Sequence, residues 1–304
     1  KVAPPLLQEL DLIQPNQHLI SILNMSMQNG DYIRKLSTKK ITAIGYEYIQ
    51  DDSGVYPIIQ AMSEIVGSTC ILIAAEYLSN AFNGKGELLG GVAGIPPTEI
   101  VIVGAGTVGE YAARAALGLG ADVKLFDNSV YRLRRVQNHL NRRIFTAILN
   151  PNVLGDALKT CDVAIGALRS NEGRTPVVVT EEMVTEMRVG SVIVDVSIDQ
   201  GGCFETSKVT NHTQPVFRKH GVIHYCVPNI ASRVSRTAST ALSNIFTTML
   251  LAAGEQGGID ELIWKDRSVR RGVYLHKGSV SNHYVSDVCK MPYKDLDLLS
   301  AARI

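Results

Sequence analysis

Apolar residues in this chain recur in two ways, as short apolar-rich runs and as longer stretches with a hydrophobic position every third or fourth place. The apolar-rich runs at 19–23, 41–44, 99–103, 122–126, 163–165, 192–196 and 222–227 predict strands, those from 99 onward buried on both faces. The 3.6-residue pattern predicts helices at 30–36, 62–82, 110–120, 130–147, 181–187 and 236–253; Asn83-Gly84 stops the second. From 99 onward strands alternate with helices, which indicates a parallel α/β sheet. The long helices at 62–82 and 236–253 bracket that stretch. Residues 58–235 are therefore expected to form one domain, inserted in a second, discontinuous α/β domain made of 1–57 with 236–304. The tail, with Leu262-Ile-Trp264 and Met291-Pro292, is expected to fold back on the first segment.

One stretch adds chemistry to this pattern. The run 99–103 feeds Gly104-Ala-Gly106-Thr-Val-Gly109, then a helix of small residues, then the run 122–126, which ends on Asp127. Strand, G-x-G-x-x-G, helix, strand and acid is the order of a dinucleotide-binding βαβ unit, so the inserted domain reads as a Rossmann-type doubly wound parallel sheet. Gly104 permits the tight turn, Gly106 lets backbone approach a pyrophosphate, and Gly109 lets the helix pack close to the sheet. The helix that starts here would aim free N–H groups and its positive dipole end at the phosphates. Asp127 follows Gly109 at close to the usual spacing of about 20 residues for a carboxylate that bonds ribose hydroxyls. Its charge would repel a 2′-phosphate, which favours NAD over NADP.

Composition narrows the function classes. The chain has 304 residues, 45% hydrophobic and 19% charged, with a net charge of +1. That balance gives no global attraction for nucleic acid or an anionic membrane, and no apolar run is read as long enough to span a bilayer. Five scattered cysteines without a C-x-x-C pair suggest reduced thiols and a cytoplasmic setting. Cys203, beside Gly201-Gly202, is either a nucleophile or a small filler in a glycine loop. His224 lies inside an apolar run and reads as a core residue; the other histidines have no partner at metal-ligand spacing, so no metal site is expected. The chain begins at Lys1 on what reads as the end of a strand, and an N-terminal portion is expected to be missing.

Loops after parallel strands converge at one sheet edge, where functional side chains collect. Asp199, before Gly201-Gly202, either points into such an edge or caps its own turn. Asn229, after Pro228, is either a turn residue or a partner for a nicotinamide amide. Ser63 is either a helix cap or a cofactor contact.

Taken together, the segments 44–47 (Ile-Gly-Tyr-Glu), 57–64, 88–92, 104–109, 194–202 and 224–229 resemble the alanine dehydrogenases, within the group that includes the NAD-binding subunit of proton-translocating transhydrogenase. The transhydrogenase branch has Pro-Arg-Ile-Ser-Arg-Ala-Gln where this chain reads Ile58-Ile-Gln-Ala-Met-Ser-Glu64, so the dehydrogenase branch matches better. The resemblance implies reversible oxidation of L-alanine by NAD to pyruvate and ammonia, by a homo-oligomer, hexamer or dimer, with a small amino-acid or 2-oxo-acid substrate. It implies Asp199 as the catalytic aspartate and Ser63, Thr107, Val108, Asp127, Leu168, Val196, Val227 and Asn229 as cofactor contacts, with Arg132 near the ribose. Three departures accompany it. The family's substrate-carboxylate arginine lies in a stretch this chain does not contain, its substrate lysine aligns with Ala3, and its catalytic histidine aligns with Asn24. An asparagine donates a hydrogen bond but takes up no proton near neutral pH. Lys1, two residues before Ala3 and so on the same strand face, is a candidate replacement ammonium. Two other readings stand beside the first: a related NAD-linked amino-acid oxidoreductase with a different substrate, and a catalytically lapsed NAD-binding regulatory or structural oligomer.

Overall fold

The apolar-rich runs become strands in the computed structural model, which describes residues 1–25, 28, 30–170 and 174–302. In chain order the elements are β1 (His18–Ser21), α1 (Gly30–Thr38), β2 (Thr42–Gly45), α2 (Pro57–Leu78), β3 (Glu99–Val103), α3 (Thr107–Gly118), β4 (Asp122–Phe126) and α4 (Val130–Leu140). There follow β5 (Phe145–Ala147), α5 (Pro151–Thr160), β6 (Val163–Gly166), α6 (Glu181–Thr185), β7 (Val192–Asp195), β8 (Val216–Lys219), β9 (Val222–Tyr225) and α7 (Ser235–Gln256). The tail holds α8 (Ile259–Lys265), α9 (Arg267–Gly272), β10 (Val273–His276), β11 (Ser279–Val280), α10 (His283–Cys289) and α11 (Leu296–Ala301). The chain condenses into two compact units, residues 1–61 with 240–304, and residues 62–239.

The larger unit is built on a seven-stranded sheet of order β5-β4-β3-β6-β7-β9-β8. Strand β3 explains why its run is apolar after Glu99. Ile100 and Ile102 face one core layer with Ala112, Ala113 and Ala116 of α3, whereas Val101 and Val103 face another with Leu154 and Leu158 of α5. Alternating side chains thus find a hydrophobic layer on each side. Strand order reverses direction between β3 and β6, the switch point beside which doubly wound sheets place their ligands. In the smaller unit β1 and β2 pair in parallel, and β10 and β11 extend the sheet antiparallel from β2, so the tail does return to the first segment.

Several expected boundaries move. The helix read over 130–147 ends at Leu140, where Asn141 takes a left-handed φ of 49°. Residues 145–147 instead pair in parallel with β4 as the sheet's edge. An edge strand is so short that its apolar residues carry no period of their own. At the opposite edge β8, absent from the sequence reading, pairs antiparallel with β9, so the sheet is mixed rather than wholly parallel. Its Arg218 and Lys219 are charges of the kind that protect an open edge. The runs at 192–196 and 222–227 shorten to 192–195 and 222–225, the first passing into a 3-10 turn.

Helix α2 starts at Pro57, not near 62, because proline suits a first helical position. Ser63 therefore sits in its second turn and is no cap. By length and composition α2 also meets the requirement for crossing a bilayer, with mean hydropathy 1.7, so the premise that no run is long enough does not hold. Within this fold Cys70, Ile73, Ala74 and Leu78 pack into the larger unit's core, and Gly67 lets the helix press onto the backbone of α3.

Ile102 is fully buried in β3, an interior strand of the sheet. Ile102→Ala is expected to lower unfolding free energy by about 2–5 kcal/mol and Ile102→Val by about 0.5–1.5, read by urea denaturation.

Candidate active site

The turn after β3 assembles at the switch point. Gly104 adopts φ +117°, a conformation glycine alone takes without strain, and a Cβ there would stand 2.5 Å from the Ala167 carbonyl after β6. A Cβ on Gly109 would collide with the carbonyl of Gly104, so α3 begins against the strand end only because that position is bare. Gly106 differs. It keeps an ordinary extended backbone, and a Cβ there would meet nothing within 4 Å. Packing does not demand that glycine; it keeps open the space over the first turn of α3, where Thr107, Val108 and Gly109 present helix N–H groups.

Asp127 ends β4 beside this turn and is 4% exposed. Its Oδ2 accepts the Ala105 N–H at 2.8 Å and its Oδ1 the Ser129 N–H at 2.7 Å, so the carboxylate is fixed while each oxygen keeps acceptor capacity. Arg132 stands 3.9 Å from Oδ2. Arg135, which sequence reasoning missed, donates to the Ala105 carbonyl at 3.1 Å and lies 3.4 Å from Glu110. Glu110, buried in the first turn of α3, also meets His139 at 2.9 Å. The glycine turn is thus tied to α4 by a basic clamp whose only sequence signal is the Arg-rich face of that helix.

Asp199 and Asn229, far apart in sequence, come together: the Asn229 N–H donates to Asp199 Oδ1 at 3.2 Å. Asn229 holds a left-handed φ of 54° after Pro228. Asp199 is exposed, yet the protein surrounding its carboxyl displaces enough water to push its pKa above the usual carboxylate value, opposed by the Asn229 N–H. The 3-10 turn carrying Asp199 (Val196–Gln200) is anchored by Asp195, also missed from sequence. Asp195 is wholly buried and accepts from Ser197 N–H at 3.0 Å, Cys203 N–H at 3.0 Å and Ser207 Oγ at 2.7 Å. Ser197 Oγ donates to the Leu168 carbonyl at 2.8 Å, which joins the loops after β6 and β7. Val196 and Leu168 are half-buried there, whereas Val227 is almost fully buried.

Two readings settle on the bland side. Cys203 is buried against Asp195, and burial with that neighbouring charge pushes its thiol well up, so it fills the loop rather than attacking. His224 is buried with Thr206 Oγ1 on Nε2 at 2.8 Å and the Val222 carbonyl at Nδ1, and burial lowers its pKa to about 4.

In the smaller unit, Lys1 pairs its ammonium with Glu9, so a substrate carboxylate would have to compete for it. Ala3 offers no charge. Asn24 adopts φ 49°, and Glu47 Oε1 accepts the N–H groups of Leu23 and Asn24 at 2.8 and 2.9 Å. Ser63 is half-buried on α2.

Two family descriptions match the chain: Alanine dehydrogenase/PNT, N-terminal domain, over residues 1–66, and Alanine dehydrogenase/PNT, C-terminal domain, over residues 70–283. An alanine dehydrogenase of Methanococcus maripaludis is 37% identical over 294 residues, which is 96% of this chain and 78% of that protein. Another, of Mycolicibacterium smegmatis, is 35% identical across 97% of this chain and 79% of its own length. A solved L-alanine dehydrogenase superposes with a TM-score of 0.89 at 35% identity, covering 95% of this chain and 79% of the other. With its sheet order, its glycine turn and these likenesses in agreement, the chain belongs to the alanine dehydrogenase/PNT family.

Proposed function

We propose that this chain is an NAD-dependent alanine dehydrogenase, converting L-alanine, NAD and water to pyruvate, ammonium and NADH with release of a proton. The observation that carries the reading is the open space over Gly106 at the head of α3, with Asp127 fixed beside it. Bound NAD would accept the substrate's α-hydrogen as hydride. Residues 58–235 hold the cofactor on this reading, and 1–57 with 236–304 receive the amino acid. Gly106 and the first-turn N–H groups of α3 cradle the pyrophosphate, and Asp127 accepts from ribose hydroxyls, with Arg132 close by. Ser63, Leu168, Val196, Val227 and Asn229 complete the cofactor contacts. Asp199 acts as the proton acceptor that readies water for attack on the substrate imine. A homo-oligomer, dimer or hexamer, is supported by exposed apolar residues such as Leu72, Val92 and Ile95 in the larger unit. A cytoplasmic location without nucleic-acid or membrane partners fits the near-neutral charge and the five free buried cysteines.

Asn24, which stands where the resemblance places a histidine, favours a second reading in which the substrate is a near relative of alanine. Incubation with NAD and a panel of L-amino acids, followed at the NADH absorbance, decides between them. Fastest turnover of L-alanine is expected; a higher kcat/KM for another amino acid supports the second reading, and no turnover of any defeats both.

Two glycine variants separate cofactor space from packing. Gly106→Val is expected to leave the melting temperature within about 2 °C while weakening NADH binding by about tenfold or more, because its side chain enters open space. Gly109→Ala is expected to lower the melting temperature itself, by about 4 °C or more, through its collision with the Gly104 carbonyl.

Asp199→Asn is expected to reduce kcat by about 100-fold or more while NADH affinity changes little. The raised pKa of Asp199 sets the sign of the pH effect. Its base form is lost as pH falls through that value, so the acid limb of the kcat profile lies above the ordinary aspartate range. The asparagine variant should lack that limb.

A further inference from the structure

Another carboxyl is half-buried, with one oxygen shut off from solvent. Glu47 follows β2 in the 3-10 turn Tyr46–Tyr48. Its Oε1 takes both N–H groups of the Leu23–Asn24 segment, whereas Oε2 is buried with no hydrogen-bond partner among the described residues. The titratable groups facing it are phenols: Tyr46 and Tyr48 on its own turn, Tyr32 on α1 and Tyr274 on β10. Burial is the strongest influence on the Glu47 carboxyl and pushes its pKa up, against the pull of the backbone N–H groups. A carboxyl in such surroundings is unfavourable unless it holds something in place. What it holds is the bend at Asn24, whose φ of 49° lies in the left-handed region that most side chains avoid.

We propose that Glu47 is a positioning residue of the substrate half, fixing the backbone of Asn24 and through it the carboxamide that stands at the family's histidine position. The assignment rests on the dehydrogenase reading above. Two donors converging on one oxygen define the rotation of the Leu23–Asn24 segment in a way one bond would not. A fixed backbone sets the direction of the Asn24 Cα–Cβ bond, so the carboxamide has fewer positions to lose on meeting the substrate. The acceptor atom is what matters: glutamine keeps an oxygen there, aspartate withdraws it by a methylene, and leucine removes it.

The test uses the full chain, with kcat and KM for L-alanine at saturating NAD, NADH affinity by fluorescence, and pyruvate affinity of the NADH complex. Glu47→Leu is expected to lower kcat/KM for L-alanine by about 30-fold or more, with NADH affinity within about twofold of native. Glu47→Gln is expected to restore kcat/KM to within about fivefold. In an Asn24→Ala background the further loss from Glu47→Leu should be under about threefold, because a residue acting through Asn24 has nothing left to position. Should Glu47→Leu not fold, Glu47→Asp replaces it in both backgrounds, with the same loss expected alone and the same small loss in the double variant. Native kcat/KM in Glu47→Leu or Glu47→Asp, or losses that multiply in the double variant, overturn the assignment while leaving the dehydrogenase reading intact. A native chain that binds NADH but neither oxidises L-alanine nor binds pyruvate overturns both.

Discussion

The start of α3 lies almost on top of the end of β3, closer than any side chain at position 109 would allow. That contact between Gly109 and the Gly104 carbonyl sets the direction of the helix, the height of its first turn above the sheet edge, and the place where its N–H groups point. The bend at Gly104 in turn lies against the Ala167 carbonyl, so the loops after β3 and β6 meet at the point where strand order reverses. Asp127 then needs only to follow β4, the parallel neighbour of β3, to arrive beside the same turn. An open space over the first turn of α3 results from close approach at two glycines, and the third, Gly106, leaves that space unfilled.

Buried carboxylates shape the remaining loops. Asp195 gathers N–H groups and a hydroxyl from the chain between Ser197 and Ser207, and so holds the turn that presents Asp199. Glu47 does the corresponding work for Leu23 and Asn24 in the smaller unit. Asp162, at the far end of the larger sheet, accepts the Glu99 N–H and meets Lys85 and Arg188. A carboxylate offers several lone pairs at one place, so it can organise a loop that has too few residues to build its own ladder of hydrogen bonds. The burial that makes such groups expensive also makes their bonds strong.

Much of the larger unit was legible because its signals are short-range. The run in β3, the three glycines, the small face of α3 and the spacing to Asp127 each reflect a steric or burial requirement met within a few residues of itself. Asp199 and Asn229 were legible only as candidates, each with a turn reading beside it. Asp195, Arg135 and Glu47 escaped notice as site residues. A buried aspartate at a strand end, an arginine on a polar helix face and a glutamate between two tyrosines carry no local mark of the partners they find.

The sequence alone therefore determined the main strands and helices around the glycine turn, the order of the βαβ unit, and the preference for a cofactor without a 2′-phosphate. Those follow from periodicity and from the backbone freedom of glycine, properties each segment carries with it. Tertiary structure alone decided that 145–147 leaves its helix to become an edge strand, that β8 runs antiparallel, and that Asn229 meets Asp199. It also decided that Glu47 grips Asn24. Each of these depends on which backbone groups remain unpaired once the sheet has closed, and no segment holds that information before its neighbours are in place.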